Sequence, residues 1–103
     1  MSRRDGEERE TPTRNTRLHL RLYVAGDAPN STQARANLDA ICARYLEPGD
    51  YDVEIIDVLD EPLRALDDGV LVTPTLLGSI SPSITIVGTL DDHERVKRAL
   101  GLE

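Results

Sequence analysis

The 103-residue chain has no tryptophan, no phenylalanine and a single cysteine. With only three tyrosines as aromatics, its core must be built from aliphatic side chains. One cysteine excludes an internal disulfide framework, a Cys-rich zinc site and exchange between paired thiols. Cations are also scarce: 12 Lys and Arg against 19 Asp and Glu give a formal net charge of -7. Binding to nucleic acid needs cations that displace counterions from phosphate, so the balance argues against that class. No apolar run approaches the roughly 20 residues of a membrane-spanning helix. The amino end is polar and charged, unlike a signal peptide. The expectation is a soluble, reduced, cytoplasmic protein with neither nucleic acid nor membrane as partner.

The charge is unevenly spread. Residues 1–17 carry five Arg and four acids and contain no Leu, Ile or Val. Such a segment buries too little surface to offset its ordering entropy, which predicts a disordered tail. Residues 18–103 form the domain and hold seven basic and fifteen acidic side chains, so the domain itself is the acidic part.

From residue 18 the pattern is regular. Leu18, Leu20, Leu22 and Val24 alternate with His19, Arg21 and Tyr23, the period of a strand with one apolar face. After a break at Ala25–Asn30, Asn30 or Ser31 is placed to cap a helix. Ala34, Leu38, Ile41, Cys42, Tyr45 and Leu46 form its stripe. A second strand runs from Tyr51 to Val58. Its apolar residues on both faces predict an internal position. Glu61 to Asp68 reads as a short helix with Pro62 in its first turn and Leu63 and Leu66 on one side. Residues 71–77 and 83–88 read as two antiparallel strands joined through Gly78–Pro82. Asp91 with Glu94 three residues on reads as a capping box for a last helix, which Gly101 ends. The order βαβαββα suits an α/β, thioredoxin-like fold, a mixed four-stranded sheet with helices on both faces.

That fold raises the question of redox chemistry. Its reactive thiols would sit after the first strand at the helix start, where the helix dipole stabilises a thiolate. Here that place is Asp27-Ala28-Pro29-Asn30. Cys42 lies three turns into the helix on its apolar stripe, where it reads as a core residue. His19 falls on the more polar strand face and His93 in the first turn of the last helix, where it is expected to be solvated. The two are too scattered for a metal site. Asp67-Asp68, Asp91-Asp92 and Asp57 with Asp60 read as solvated faces or caps. No nucleophile signature, phosphate loop or cofactor motif is present, so no enzyme and no cofactor are expected. Tyr23 on the less apolar strand face and Asn30 at the helix start are the partner-binding candidates. Each also has a plain structural reading, as packing and as a cap. Thr73-Pro74, between the second helix and the hairpin, is a cis-proline candidate.

Four segments in order carry a resemblance. Leu22-Tyr23-Val24-Ala25-Gly26 followed by Pro29-Asn30-Ser31, then Val53 to Leu59, then Thr73-Pro74-Thr75-Leu76, then Gly88-x-Leu90 with Asp92-x-Glu94, together resemble the KaiB family of circadian clock proteins over residues 18–100. The resemblance implies a non-enzymatic regulator that binds a KaiC-type ATPase, with KaiA recruited in some cyanobacterial cases. It also implies two folds, a tetramer-forming ground state and a thioredoxin-like state that binds partners. Pro74 and Gly88 would be conformational positions, Gly88 as a permissive hinge. Self-association stays open on this reading. The same fold forms the sensory domain of the clock histidine kinase SasA. With the sequence ending at Glu103, no kinase is expected here.

The sequence also departs from the family pattern. Gly69 and Gly78 stand where cyanobacterial members commonly carry lysines, Ile84-Thr85 where an arginine pair is common, and Thr89 where an Asp is common. The apolar, Tyr-containing carboxyl end is absent, and the amino-terminal tail is an addition. These changes remove groups that could stabilise the tetramer, so the thioredoxin-like state is the expected resting one. A KaiC-type ATPase of a non-cyanobacterial bacterium is the expected partner. The alternative function is a stand-alone thioredoxin-like adaptor in signalling or stress response. A degenerate oxidoreductase using Cys42 is a distant third.

Overall fold

The computed structural model describes residues 18–79 and 84–102. The segment 1–17, expected to be disordered, lies outside the described residues, as does most of the expected hairpin connection, at 80–82. Seven elements follow in chain order: β1 (Leu18–Val24), α1 (Pro29–Tyr45), β2 (Tyr51–Asp57), α2 (Pro62–Asp67), β3 (Thr75–Ser79), β4 (Ile84–Val87) and α3 (His93–Ala99). The sheet order is β2-β1-β3-β4. β1 runs parallel to β2 and antiparallel to β3, and β3 is antiparallel to β4. This is the thioredoxin-like βαβαββα arrangement that the element order suggests.

The alternation in β1 explains how the two faces fill. Leu18, Leu20, Leu22 and Val24 are buried against Ala34, Leu38, Ile41 and Cys42 of α1, with Leu76, Ile86, Val96 and Leu100 completing this larger core. On the other face Tyr23, Ile56 and Ala65 form a smaller core under α2, joined by Val58, Val70 and Leu77. The helical stripe expected for α1 is the one that packs.

Four local expectations are corrected. β2 is an edge strand, not an internal one; of its residues only Ile56 is buried, and Ile55 is 39% exposed. Tyr51 and Val53 are half-buried against the larger core and Val58 against the smaller one, so both faces are covered only in part, as suits a strand at the sheet margin. β3 starts at Thr75 rather than at 71, because Pro74 has no N–H to give to the ladder. Leu71 and Val72 are consequently exposed loop residues. Neither Asn30 nor Ser31 caps α1, which begins at Pro29 with Ala28 at its cap position and no side-chain cap. A proline's fixed backbone angle and missing donor suit that first position. The Ser31 hydroxyl is buried and accepts instead from the Ala25 N–H at 3.0 Å. Finally, α3 is capped by Asp92, which accepts from the Arg95 N–H at 3.1 Å, and not by Asp91. Asp91 is engaged elsewhere, by Asn37 of α1.

Candidate functional site

The candidate positions gather at one end of the sheet. Register pairs Thr75 with Tyr23 on one side and with Val87 on the other. The end of β1, the start of β3 and the end of β4 therefore lie side by side. The Thr73–Pro74 peptide is cis, and Pro74 is buried. Its carbonyl accepts from the Gly88 N–H at 2.9 Å, which brings the two conformational candidates into direct contact. Thr75 closes the turn, its hydroxyl donating to the Val72 carbonyl at 2.6 Å.

Gly88 has a φ of 115°, a region that L side chains rarely enter. Two residues on, Leu90 also has positive φ, at 65°, with its side chain buried in the larger core. A positive φ at a bulky residue is an outlier held by its surroundings. What holds it is Asn37, which sequence reasoning missed. The Asn37 amide donates to the Thr89 carbonyl at 2.7 Å and to the Asp91 carboxylate at 3.0 Å, and its oxygen lies 3.1 Å from His93 Nε2. His93 is thus tied to α1 rather than solvated as expected. The only signal available was a polar residue near the α1 stripe, which ordinarily means a solvated position.

The partner-binding candidates separate. Asn30 is exposed in the first turn of α1. Tyr23 is not a surface contact in this arrangement: it is fully buried beneath α2. Its hydroxyl donates to the Asp68 carboxylate, which also receives Arg21 at 2.8 Å. Burial and this carboxylate push the Tyr23 phenol up to about 12. The hydrogen bond from Tyr23, with support from Arg21, holds Asp68 below the usual carboxylate range despite its partial desolvation. Asp68, expected on a solvated face or as a cap, stands at the C-cap position of α2 and is also the polar pin that fixes that end to β1. Next to it Arg64 joins Glu54 at 2.6 Å and Glu61 at 3.6 Å. The guanidinium hydrogen bond lowers the Glu54 carboxyl. His19 is exposed on β1 and lies 3.0 Å from Asp52.

The redox position is occupied by the backbone of residues 27–30 and carries no thiol. Cys42 is free and buried, and burial together with Asp39 pushes its thiol up to about 11. At pH 8 only about one molecule in a thousand would carry the reactive thiolate. Iodoacetamide at that pH is expected to leave Cys42 unmodified in the native protein while fully labelling the urea-unfolded chain. Equal labelling rates in the two states would contradict this burial. Among the described residues no group of three His, Cys, Asp or Glu is placed to hold a metal ion. No helix among them is long and apolar enough to cross a membrane.

Comparison with known proteins adds two findings. A KaiB domain is matched over residues 21–102. The circadian clock protein KaiB3 of Synechocystis is 45% identical over 89 residues, covering 84% of this chain and 83% of that protein. The circadian clock oscillator protein KaiB of Nostoc punctiforme is 44% identical over 84 residues, covering 81% and 80%. Among solved structures, a thioredoxin of Halobacterium salinarum superposes with a TM-score of 0.68 at 21% identity, covering 88% of this chain and 80% of that one. The germline thioredoxin Deadhead of Drosophila melanogaster gives 0.67 at 13% identity, covering 86% and 83%. Identities this low speak for the fold alone.

Proposed function

The chain belongs to the KaiB family, and from that premise we propose that it is a non-enzymatic regulator that binds a KaiC-type ATPase in a circadian or clock-like timing system. One observation carries the reading: a thioredoxin-like scaffold whose reactive position holds Asp27-Ala28-Pro29-Asn30, with its one cysteine buried in the core. What is left for such a scaffold to do is recognition. The thioredoxin-like arrangement is proposed as the resting, partner-ready state. Exchange with a second fold would act through the carboxyl-terminal half, pivoting about Gly88. The work place would be the reducing cytoplasm, where a lone buried thiol is ordinary.

The test is co-elution of the purified protein with the KaiC-type ATPase encoded nearest to it, in the presence of ATP. A stoichiometric complex is expected with both proteins at tens of micromolar, a range where even weak specific pairs associate. Separate elution at that concentration would refute the reading. A pull-down yielding a kinase or response regulator and no ATPase would instead favour an adaptor without a clock role.

A further inference from the structure

The two edges of the sheet are not alike. β2, at one edge, carries Asp52, Glu54 and Asp57 among its seven residues. Charges on an edge strand are a common protection against pairing with another chain. β4, at the other edge, reads Ile84-Thr85-Ile86-Val87, and no charged residue or proline occurs from Ile84 to Leu90. The ladder fixes which way its backbone points. The Gly88 N–H donates to the Pro74 carbonyl, and Ile86 and Ile84 stand opposite Leu76 and Gly78. Hydrogen-bonded pairs alternate in an antiparallel ladder, so Ile84 and Ile86 turn their N–H and C=O groups toward β3. Those of Thr85 and Val87 turn outward and have no partner among the described residues. Both side chains are exposed, Val87 at 58%.

These outward groups match those of a second copy. With two β4 strands antiparallel about a two-fold axis at Ile86, Thr85 of each stands opposite Val87 of the other. Both members of each pair then aim N–H and C=O at one another, which makes four hydrogen bonds. A slip of one residue would set outward groups against inward ones and lose them all. The match is reciprocal, as a two-fold interface requires. Thr85 and Val87 are both β-branched and suit such a pairing. On the opposite face, Ile86 of the second copy would lie toward a groove of about 290 Å³ between β4 and α3, lined by Ile86, Leu90 and Val96 together with Asp91, Asp92 and Arg95. The carboxylates there already serve the fold, Asp91 on the Asn37 amide and Asp92 on the Arg95 N–H. Two copies meeting at β4 bring uncharged strands together, whereas at β2 each would set three acids against three. We propose that the thioredoxin-like arrangement pairs with a second copy of itself through β4, which joins two four-stranded sheets into one of eight. This contact is distinct from the tetramer that the family resemblance assigns to the other fold, and it does not rest on the ATPase reading.

The test is sedimentation equilibrium of the full chain from about 10 μM to about 1 mM, with amide exchange followed at both ends of that range. A monomer–dimer equilibrium is expected. Each copy carries a net charge of -7, so the dimer should strengthen as salt screens that repulsion. The Thr85 and Val87 amides should exchange fast in the dilute protein and slowly in the concentrated one. Those of Ile84 and Ile86, held by β3, should keep one rate. Val87→Pro deletes an N–H that β3 does not use and two of the four intermolecular bonds, so the dimer should weaken about tenfold or more. Far-ultraviolet circular dichroism checks that this variant folds. Val87→Ile keeps the donor and should dimerise like the parent. Should Val87→Pro unfold the chain, the concentration dependence of the parent's Thr85 and Val87 amides decides alone. A monomer at about 1 mM in high salt would overturn the proposal and leave the edge to a strand of another protein. A dimer or tetramer in which Thr85 and Val87 still exchange fast would overturn it too, by placing the contact elsewhere. Failure to co-elute with a KaiC-type ATPase would leave this result standing, so the two readings fail separately.

Discussion

A methyl group added at Gly78 is expected to destabilise this fold by about 1–3 kcal/mol, the range for overpacking a filled core. Gly78 is buried in β3 opposite Ile84. A Cβ there would lie 2.8 Å from Ile84 Cγ1 and 3.4 Å from Leu100 Cδ2. The packing of β4 and of the α3 end onto β3 therefore requires a residue without a side chain. Gly78→Lys should cost more than Gly78→Ala, because it adds an ammonium group that must be buried or threaded past the same two side chains. This is one of the positions where cyanobacterial relatives were expected to carry lysine. The glycine suits the close approach of Ile84 and Leu100 to β3. Urea unfolding at constant slope gives the comparison directly. A midpoint for Gly78→Ala equal to that of the parent would show that the β3–β4–α3 packing is not as described.

The second large effect is expected at the pin under α2. Asp68→Ala leaves the buried Tyr23 hydroxyl with only the Arg64 carbonyl at 3.4 Å, a poor acceptor position, and strips Arg21 of its partner. Leaving a buried donor unsatisfied costs about 1–3 kcal/mol. For a domain of this size that is a fall in Tm of roughly 10 °C. The pH dependence has two limbs with opposite signs. The Asp68 carboxyl is lowered by its bonds from Tyr23 and Arg21, so its contribution is complete above the ordinary carboxylate value of about 4 and is lost as pH falls through the lowered one. The Tyr23 phenol is raised to about 12, so its contribution is complete below the unfolded value of about 10 and is lost between there and 12. The alkaline limb is on the order of 2 kcal/mol. Ultraviolet absorbance of the phenolate should show a late step near pH 12 that vanishes in Tyr23→Phe. A titration unchanged by Tyr23→Phe above pH 11 would remove Tyr23 from its buried position.

Much of this architecture is legible in the sequence because burial sets a period. Leu18, Leu20, Leu22 and Val24 must share a face in any strand, and the Ala34–Leu38–Ile41 spacing must share a face in any helix. The cis-proline candidate and Gly88 were legible as residue types, though only coordinates show one accepting from the other. What was hidden depends on contacts between segments distant in sequence. β2 looks internal because Val53, Ile55, Ile56 and Val58 are apolar on both faces, yet nothing local says that it pairs with β1 alone. Leu71-Val72 reads as strand by composition, while the missing N–H of Pro74 delays pairing to Thr75. Tyr23 beside Arg21 suggests a polar face until α2 closes over it and supplies Asp68 from 45 residues away. Asn37 meets residues 89–93 only after the chain has returned to α1. Leu63 and Leu66 mark one side of α2, but the helix packs through Ala65 and turns that side to solvent.

On the proposed function, the thioredoxin-like arrangement is both the resting form and the form that meets an ATPase. The direct measurement is the time course of complex formation after rapid mixing with a KaiC-type ATPase and ATP. A single phase whose rate rises in proportion to ATPase concentration is expected, since no refolding precedes the encounter. A slow phase independent of concentration would show that the resting chain is in another form, and no complex at tens of micromolar would contradict the function itself.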